Sequence, residues 1–307
     1  MPRTLAITGG TGFVGGHTLA EALSRGHAVR ALTRKPQPAR EGVEWIEGDL
    51  TDSASLARLT QGADAVIHIA GVTNAKDRAG FERGNVLGTA HIREAARDLP
   101  FVHVSSLSAR EPRLSIYGAS KLQAEHMARG AAGPFAIVRP PAVYGPGDTE
   151  FLSLFKAVRA GIVPFPAGSR AGMIYGPDLA RALIALAEDL HGPASSSGEI
   201  FEIDDGSGGY AQAEIARAIA TALGTRMASF PVPGPALAIG AAVDTAISRS
   251  LGRLPKLSFD RARYLAHRDW TADSSPLREL DIWHPAIGLA EGMAETARWY
   301  REAGWIR

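Results

Sequence analysis

The 307-residue chain contains no cysteine. That excludes disulfides, thiolate metal sites and cysteine nucleophiles, and it is the usage expected of a cytoplasmic protein. Excess charge is missing as well. Lys and Arg number 33 against 32 Asp and Glu, a net charge of +1, so no electrostatic argument from the whole chain favours nucleic acid or an anionic membrane. A membrane-spanning run is also lacking. The nearest candidate, Pro235 to Leu251, carries Asp244 and Arg249, and its unbroken apolar part, Ala236 to Val243, is too short to cross a bilayer. We expect this stretch to be a buried or half-buried helix of a C-terminal lobe. An apolar wall for a greasy substrate, or a surface that leans on a membrane, are its other readings. No repeat of solenoid period occurs. Met1-Pro2-Arg3 leads directly into the first apolar run, so no signal peptide is expected. With 45% apolar and 21% charged residues, the composition is that of an ordinary globular chain, one large domain or two small ones.

What is present is concentrated at the start. Thr4-Leu5-Ala6-Ile7-Thr8 reads as a strand, and a helix over Thr18 to Arg25 closes at Gly26. Between them stand Gly9, Gly12 and Gly15 in the spacing G-x-x-G-x-x-G. Gly9 makes a tight exit from the strand, Gly12 lets a pyrophosphate approach bare backbone, and Gly15 lets the helix pack close to the strand. The helix N-terminus then offers free N–H groups and the positive end of its dipole to phosphate. Dinucleotide binding follows from this context rather than from the glycines alone.

A second strand, Val29 to Thr33, ends 18 residues beyond Gly15, where an NAD-type site places an acid on the ribose 2′-hydroxyl. No acid occurs between Glu21 and Glu41, and Thr33-Arg34-Lys35 stands there instead. A guanidinium at Arg34 pairs well with a 2′-phosphate, so the cofactor expected is NADP, with NAD as the alternative. Val43–Glu47 is a third strand, and Thr51 or Asp52 caps a helix to about Thr60. Asp49 is either a turn residue or an acceptor for the adenine amino group. Asp64 to Gly71 is a fourth strand with its glycine exit, and His68 in it reads as a hydrogen-bonded structural histidine. Arg78 to Arg97 reads as a helix whose Asn85 and Gly88 are poor helix formers, held by a side-chain bond and by close packing. Phe101 to Ser105, Phe135 to Arg139 and Glu199 to Ile203 complete about seven strands. Ala142 to Asp148 is a turn-rich exit, Val163 to Gly168 an irregular loop, Phe230 to Pro235 a proline-rich link, and Asp178 the N-cap of a helix to Leu190.

Tyr117-Gly118-Ala119-Ser120-Lys121 opens a helix to about Arg129, and Tyr117 and Lys121 share one face of it. A phenol is a poor proton carrier at neutral pH, and a cation one turn away should lower its pKa. That suits general acid–base work. Ser106 precedes the motif at the same edge of the sheet.

Taken together, the chain resembles the extended short-chain dehydrogenase/reductase superfamily, of the NAD(P)-dependent epimerase/dehydratase type. The residues that carry the likeness are Thr8 to Gly15, Gly48-Asp49-Leu50, His68 to Gly71, Asn85 to Thr89, Val104-Ser105-Ser106, Tyr117 to Lys121, Arg139-Pro140, Tyr144 to Gly147 and Asp178-Leu179-Ala180. The resemblance implies a doubly wound α/β Rossmann sheet over 1–145, with 174–205 returning to it. A smaller, mostly helical substrate lobe would comprise 146–173 and 206–307. It implies Ser106, Tyr117 and Lys121 as the catalytic set, with Lys121 also holding the nicotinamide ribose. The cofactor side would be Gly9, Thr11, Gly12, Phe13, Val14, Thr33, Arg34, Asp49, Leu50, Ile69, Ala70, Gly71, Tyr117, Lys121, Pro140 and Val143. Thr73, Ser108, Tyr144, Phe151 and Met173 are the substrate-side candidates, with core packing the competing reading of any one aromatic or Met; no metal is called for. Leu107 and Ser108 replace the acidic pair of the dehydratases, which counts against dehydration. His267 to Trp270, Asp273-Ser274 and Trp299 to Trp305 are similar to the dihydroflavonol reductase and 3β-hydroxysteroid dehydrogenase-like branch. The implied activity is NADP-dependent interconversion of a ketone and a secondary alcohol on a small or lipid-like molecule. The alternatives are a nucleotide-sugar epimerase with bound NAD, for which Arg170 and Arg268 would meet a diphosphate, and a non-catalytic dinucleotide sensor or assembly subunit. A homodimer through the helices around Arg78–Arg97 and Tyr117–Arg129 is the fold-level expectation.

Overall fold

The computed structural model describes residues 1–250 and 259–306. The N-terminal part alternates strand and helix: β1 (Thr4–Thr8), α1 (Phe13–Ser24), β2 (Ala28–Thr33), β3 (Val43–Glu47), α2 (Ser53–Thr60) and β4 (Ala65–His68). Three consecutive helical pieces follow, α3 (Arg78–Phe81), a π-helical turn over Glu82–Leu87 and α4 (Gly88–Ala95). Next come β5 (Phe101–Val104), a 3-10 turn over Leu107–Arg110, α5 (Ile116–Ala128), β6 (Phe135–Arg139), β7 (Ala142–Tyr144), α6 (Glu150–Arg159), β8 (Ile162–Pro166), β9 (Arg170–Ala171), β10 (Met173–Tyr175), α7 (Gly176–His191) and β11 (Ile200–Glu202). The chain ends with β12 (Tyr210–Ala211), α8 (Gln212–Leu223), β13 (Ala228–Val232), α9 (Gly234–Ser250), α10 (Phe259–Ala266), β14 (Asp269–Trp270), α11 (Ser275–Glu279) and α12 (Leu289–Glu302).

Seven strands form one parallel sheet in the order β11-β6-β5-β4-β1-β2-β3. Alternate residues of β1 go to opposite faces, as strand geometry requires. Leu5 and Ile7 join a core with Leu19 of α1 and Leu183 and Leu186 of α7. Ala6 joins the other, with Leu56 and Leu59 of α2, Ile92 of α4 and Ala128 of α5. Covered on both faces, the central strands are continuous apolar runs. The direction of winding reverses between β1 and β4. The crevice beyond their carboxyl ends is therefore where a doubly wound sheet takes its ligand.

A separate core, with Phe155 and Val158 of α6, Ile215 and Ile219 of α8, and Met293 and Tyr300 of α12, holds the second lobe together. Several local expectations change here. Helix α1 starts at Phe13, not Thr18, because Gly15 and Gly16 are helical. The segment expected as a loop at Val163–Gly168 begins within β8, which pairs in parallel with β13, where a link was expected. In a two-stranded ribbon every strand is an edge, so Pro164, Pro166 and Pro231 need not donate to a ladder. Asp178 does not cap α7. That helix begins at Gly176-Pro177, and the Asp178 carboxylate accepts from Arg181 (2.6 Å) and from the N–H groups of Ala286 (2.9 Å) and Ile287 (2.8 Å). It ties α7 to the loop before α12. Helix α9 was expected to bury its apolar side; instead Ile239, Val243 and Ile247 are exposed. Among the described residues no helix is long and apolar enough to cross a membrane.

Candidate active site

The glycine turn lies at the reversal point. Gly9 has φ +77°, and a Cβ there would come 2.7 Å from the amide nitrogen of Ala70, at the exit of β4. A Cβ on Gly15 would overlap the Gly9 carbonyl, so the approach of α1 to β1 depends on it. Gly12 donates its N–H to Gly9 O (3.0 Å) and opens α1 with no side chain capping the first turn. The uncapped N–H groups and the side-chain-free Gly12 fit a dinucleotide diphosphate, which Gly12, Phe13 and Val14 would hold through backbone donors. Phe13 packs edge-on against His17 (5.2 Å), and His17 Nε2 bonds Pro146 O (2.9 Å), anchoring this turn to the loop after β7.

At the far end of β2, Thr33 folds back on itself, its hydroxyl donating to Lys35 O (2.6 Å). That turn leaves Arg34 exposed. Asp49 accepts from the hydroxyl of Thr51 (2.6 Å) and from its N–H (2.7 Å), and these bonds, helped by Arg34, hold its carboxyl below the usual range. Asp49 is thus a turn former with its carboxylate exposed beside Arg34. Leu50 fills the space Gly88 leaves: a Cβ on Gly88 would lie 2.8 Å from Leu50 Cδ1.

The chemistry-bearing side chains meet after β5. Ser106 caps the 3-10 turn, accepting from Ser108 N (3.2 Å) and donating to Ser108 Oγ (3.2 Å). Tyr117 stands near enough to Ser106 for the serine to oppose the rise of its pKa. Ser108 in turn donates to the Tyr264 hydroxyl (3.4 Å), which arrives from α10. Ser106, Ser108 and Tyr264 therefore form one chain of hydroxyls, with Tyr117 beside its Ser106 end. Lys121, only 5% exposed, gives its Nζ to Val104 O (2.8 Å). This overturns the expected tuning of the phenol. Burial pushes Tyr117 up to about 12, Ser106 opposes the rise, and Lys121 is not among its causes. Burial pulls Lys121 down to about 8. Loss of hydration outweighs the helical spacing that suggested a depressed phenol.

A buried frame holds these groups. Asn85 accepts from Val72 N (2.6 Å) and donates to Val72 O (3.0 Å) and Ser120 Oγ (2.9 Å). It sits in the π-turn, where one extra residue re-aims a side chain. Asn85 thus links the exit of β4 to the Tyr117 helix. Glu125, fully buried, accepts from Ser105 (2.6 Å) and takes Arg139 through both oxygens (2.8 and 2.7 Å). His68 is the satisfied histidine expected. Thr89 donates to Asn85 O (2.6 Å), so its oxygen accepts from His68 Nε2 (3.0 Å), and Thr8 donates to Nδ1 (2.6 Å). The ring is neutral, its pKa pulled to about 3 by burial and by Lys121.

Ile69, Ala70, Gly71, Pro140 and Val143 all lie at the carboxyl edge, as does exposed Thr73. Thr11 stands exposed in the glycine turn. Ser108 belongs to the hydroxyl chain. Tyr144 and Met173 are fully buried core of the second lobe, and Phe151 packs on the Tyr144 ring (6.0 Å). Core packing is what holds these three. Tyr264 was not anticipated, because nothing in its local sequence connects it to Ser108.

A dinucleotide-type glycine turn, a serine–tyrosine pair and a buried lysine on this sheet define an NAD(P)-dependent oxidoreductase. Residues 5–203 match the NAD dependent epimerase/dehydratase family, and the chain belongs to that family. It is 39% identical to ceramide reductase of Caulobacter vibrioides, over 98% of this chain and 96% of that protein. It is 32% identical to 4-hydroxy-2-methyl-3-oxo-4-farnesyl-3,4-dihydroquinoline-1-oxide ketoreductase of Stigmatella aurantiaca, over 66% of this chain and 68% of the relative. Among solved structures it is similar to MoeE5 in complex with UDP-glucose and NAD, with TM-score 0.75, 25% identity, and 98% and 99% of the two chains covered.

Proposed function

We propose that the protein is an NADP-dependent ketoreductase acting on a lipid-like ketone of the ceramide type. The observation that carries this is the hydroxyl chain Ser106–Ser108–Tyr264 at the carboxyl edge, with Tyr117 beside Ser106 and its phenol held protonated by burial. A bound nicotinamide supplies the hydride. Ser106 and Tyr117 hold the carbonyl oxygen between two donors. As the carbonyl carbon gains the hydride, the phenolic proton passes to the developing alkoxide and leaves the secondary alcohol. Its pKa raised by burial, the phenol stays protonated through the neutral range and can give its proton in the reductive direction. Ser106 stabilises the oxygen as charge develops. Likeness to ceramide reductase over nearly the full chain, and to a farnesyl-bearing quinoline ketoreductase, supports an apolar substrate. Exposed Arg34, and the lack of an acid from Arg34 to Arg40, support NADP.

Two measurements test this reading. Replacing Tyr117 with Phe should lower kcat on long-chain ketones by about a hundredfold or more, with NADPH affinity and fold unchanged. Undiminished turnover would refute the role of the phenol. Arg34→Ala should weaken NADPH binding by about tenfold while sparing NADH. Tighter binding of NADH than of NADPH by the unaltered protein would refute the cofactor assignment. A nucleotide-sugar epimerase is the second reading, favoured by the likeness to MoeE5. Against it, the Arg170 guanidinium is engaged by Gly209 O (2.6 Å). Inversion of a sugar nucleotide without net cofactor turnover would favour it.

A further inference from the structure

Helix α9 has its polarity reversed. Ile239, Val243 and Ile247, spaced four apart on one stripe, are 67%, 53% and 47% exposed. On the opposite side, among the described residues, small and polar side chains turn to the protein: Ala241 and Ser248 are fully buried, and Ser248 donates to Asp244 (3.2 Å). A helix that only packed on a lobe would show the reverse arrangement. The apolar surface continues beyond the helix. Ile162 and Phe230, 61% and 48% exposed, belong to the β8–β13 ribbon, whose register pairs Ile162 with Ala228 and Pro164 with Phe230. Residues of one parity share a ribbon face, so these two side chains lie together, and Pro233 alone separates β13 from α9.

Charge identifies the occupant. The whole chain is balanced, but Arg226 to Arg268 holds seven Lys and Arg against two acids. Arg226, just before β13, and Arg268, just after α10, are exposed. Apolar side chains on an outward helix face, in a stretch of net positive charge, fit the boundary of an anionic bilayer. We propose that α9 and the β8–β13 ribbon form an interfacial docking surface for an anionic lipid membrane. Helix α10 packs on α9, with Ala266 Cβ 3.8 Å from the place a Cβ on Gly234 would take, and carries Tyr264 into the hydroxyl chain. The part of the chain that carries the docking surface thus also sends a side chain to the active site. The proposal does not rest on the substrate assignment, because docking is read without substrate.

The test is co-sedimentation of the full chain with vesicles of phosphatidylcholine alone and of phosphatidylcholine with phosphatidylglycerol. Sedimentation should follow phosphatidylglycerol and fall as salt rises. The double variant Ile239→Ser, Val243→Ser should partition about tenfold more weakly, with its melting temperature and NADPH binding retained. Because the chain has no cysteine, Val243→Cys takes a single polarity-sensitive dye. Its emission should shift to the blue with the anionic vesicles, while a dye at Glu94→Cys stays unmoved. If the double variant melts early, the dye measurement decides. Absence of sedimentation with both vesicles would overturn the proposal, as would sedimentation that the folded double variant retains. So would a dimer of the unaltered chain that the double variant dissolves, which would give this face to a second copy.

Discussion

Replacing Lys121 by Met should make the protein more stable while disabling it. The ammonium is 5% exposed, and burial pulls its pKa from the ordinary 10.5 to about 8. At about 1.4 kcal/mol per unit, the folded chain bears about 3 kcal/mol for keeping this group charged at pH 7. The offsetting interaction that the variant removes is the hydrogen bond to Val104 O, about 1 kcal/mol. A net gain of about 2 kcal/mol is expected, a rise in melting temperature of several degrees for a chain of this size. The sign of the pH dependence is a second check. A lysine with a depressed folded pKa binds fewer protons folded than unfolded between about 8 and 10.5, so its burial penalty is full below 8 and fades as pH rises through that window. Chemical unfolding at pH 7 and near pH 10 should show the variant's advantage shrinking toward zero. Turnover and cofactor affinity should both fall, on the ribose-holding role that the family resemblance implies for Lys121. A variant less stable than the unaltered protein at pH 7 would refute the reasoning, because Lys121 would then be a net stabiliser rather than a functional group held at a cost.

Three further outcomes are expected. Gly12→Ala should keep the fold, since its Cβ would meet only Gly9 O at 3.3 Å, yet lose dinucleotide affinity by about tenfold or more in fluorescence titration; Gly15→Ala should fail to fold, because its Cβ would overlap that same carbonyl. Asn85→Ala should cost about 2–3 kcal/mol in denaturant unfolding, because it strands Val72 N and O and frees Ser120 at the site's edge. An unchanged midpoint would show that water replaces the Asn85 bonds.

Much of the architecture was legible in the chain because it is local. The period of Leu5, Ala6 and Ile7, the glycine spacing at Gly9, Gly12 and Gly15, and the apolar runs at Phe101 and Phe135 each follow from side-chain alternation and backbone sterics. His68 and Gly88 were readable for the same reason: a polar group in a central strand must be bonded, and a glycine inside a helix must be crowded. The missing acid between Glu21 and Glu41 likewise needed no structure to be seen. Tertiary packing decided the rest, where the deciding partner is remote or the deciding term is solvation. Spacing put Tyr117 and Lys121 on one helix face, but only the packed structure turned the ammonium to Val104 and half-buried the phenol, reversing the expected pKa shift. Ser108 meets Tyr264 across 156 residues, a separation no local pattern encodes. The prolines of β8 and β13 read as loop until two edges found each other. The apolar residues of α9 read as core because hydrophobicity records a preference for leaving water and not what will cover it, and in the folded chain their stripe points outward.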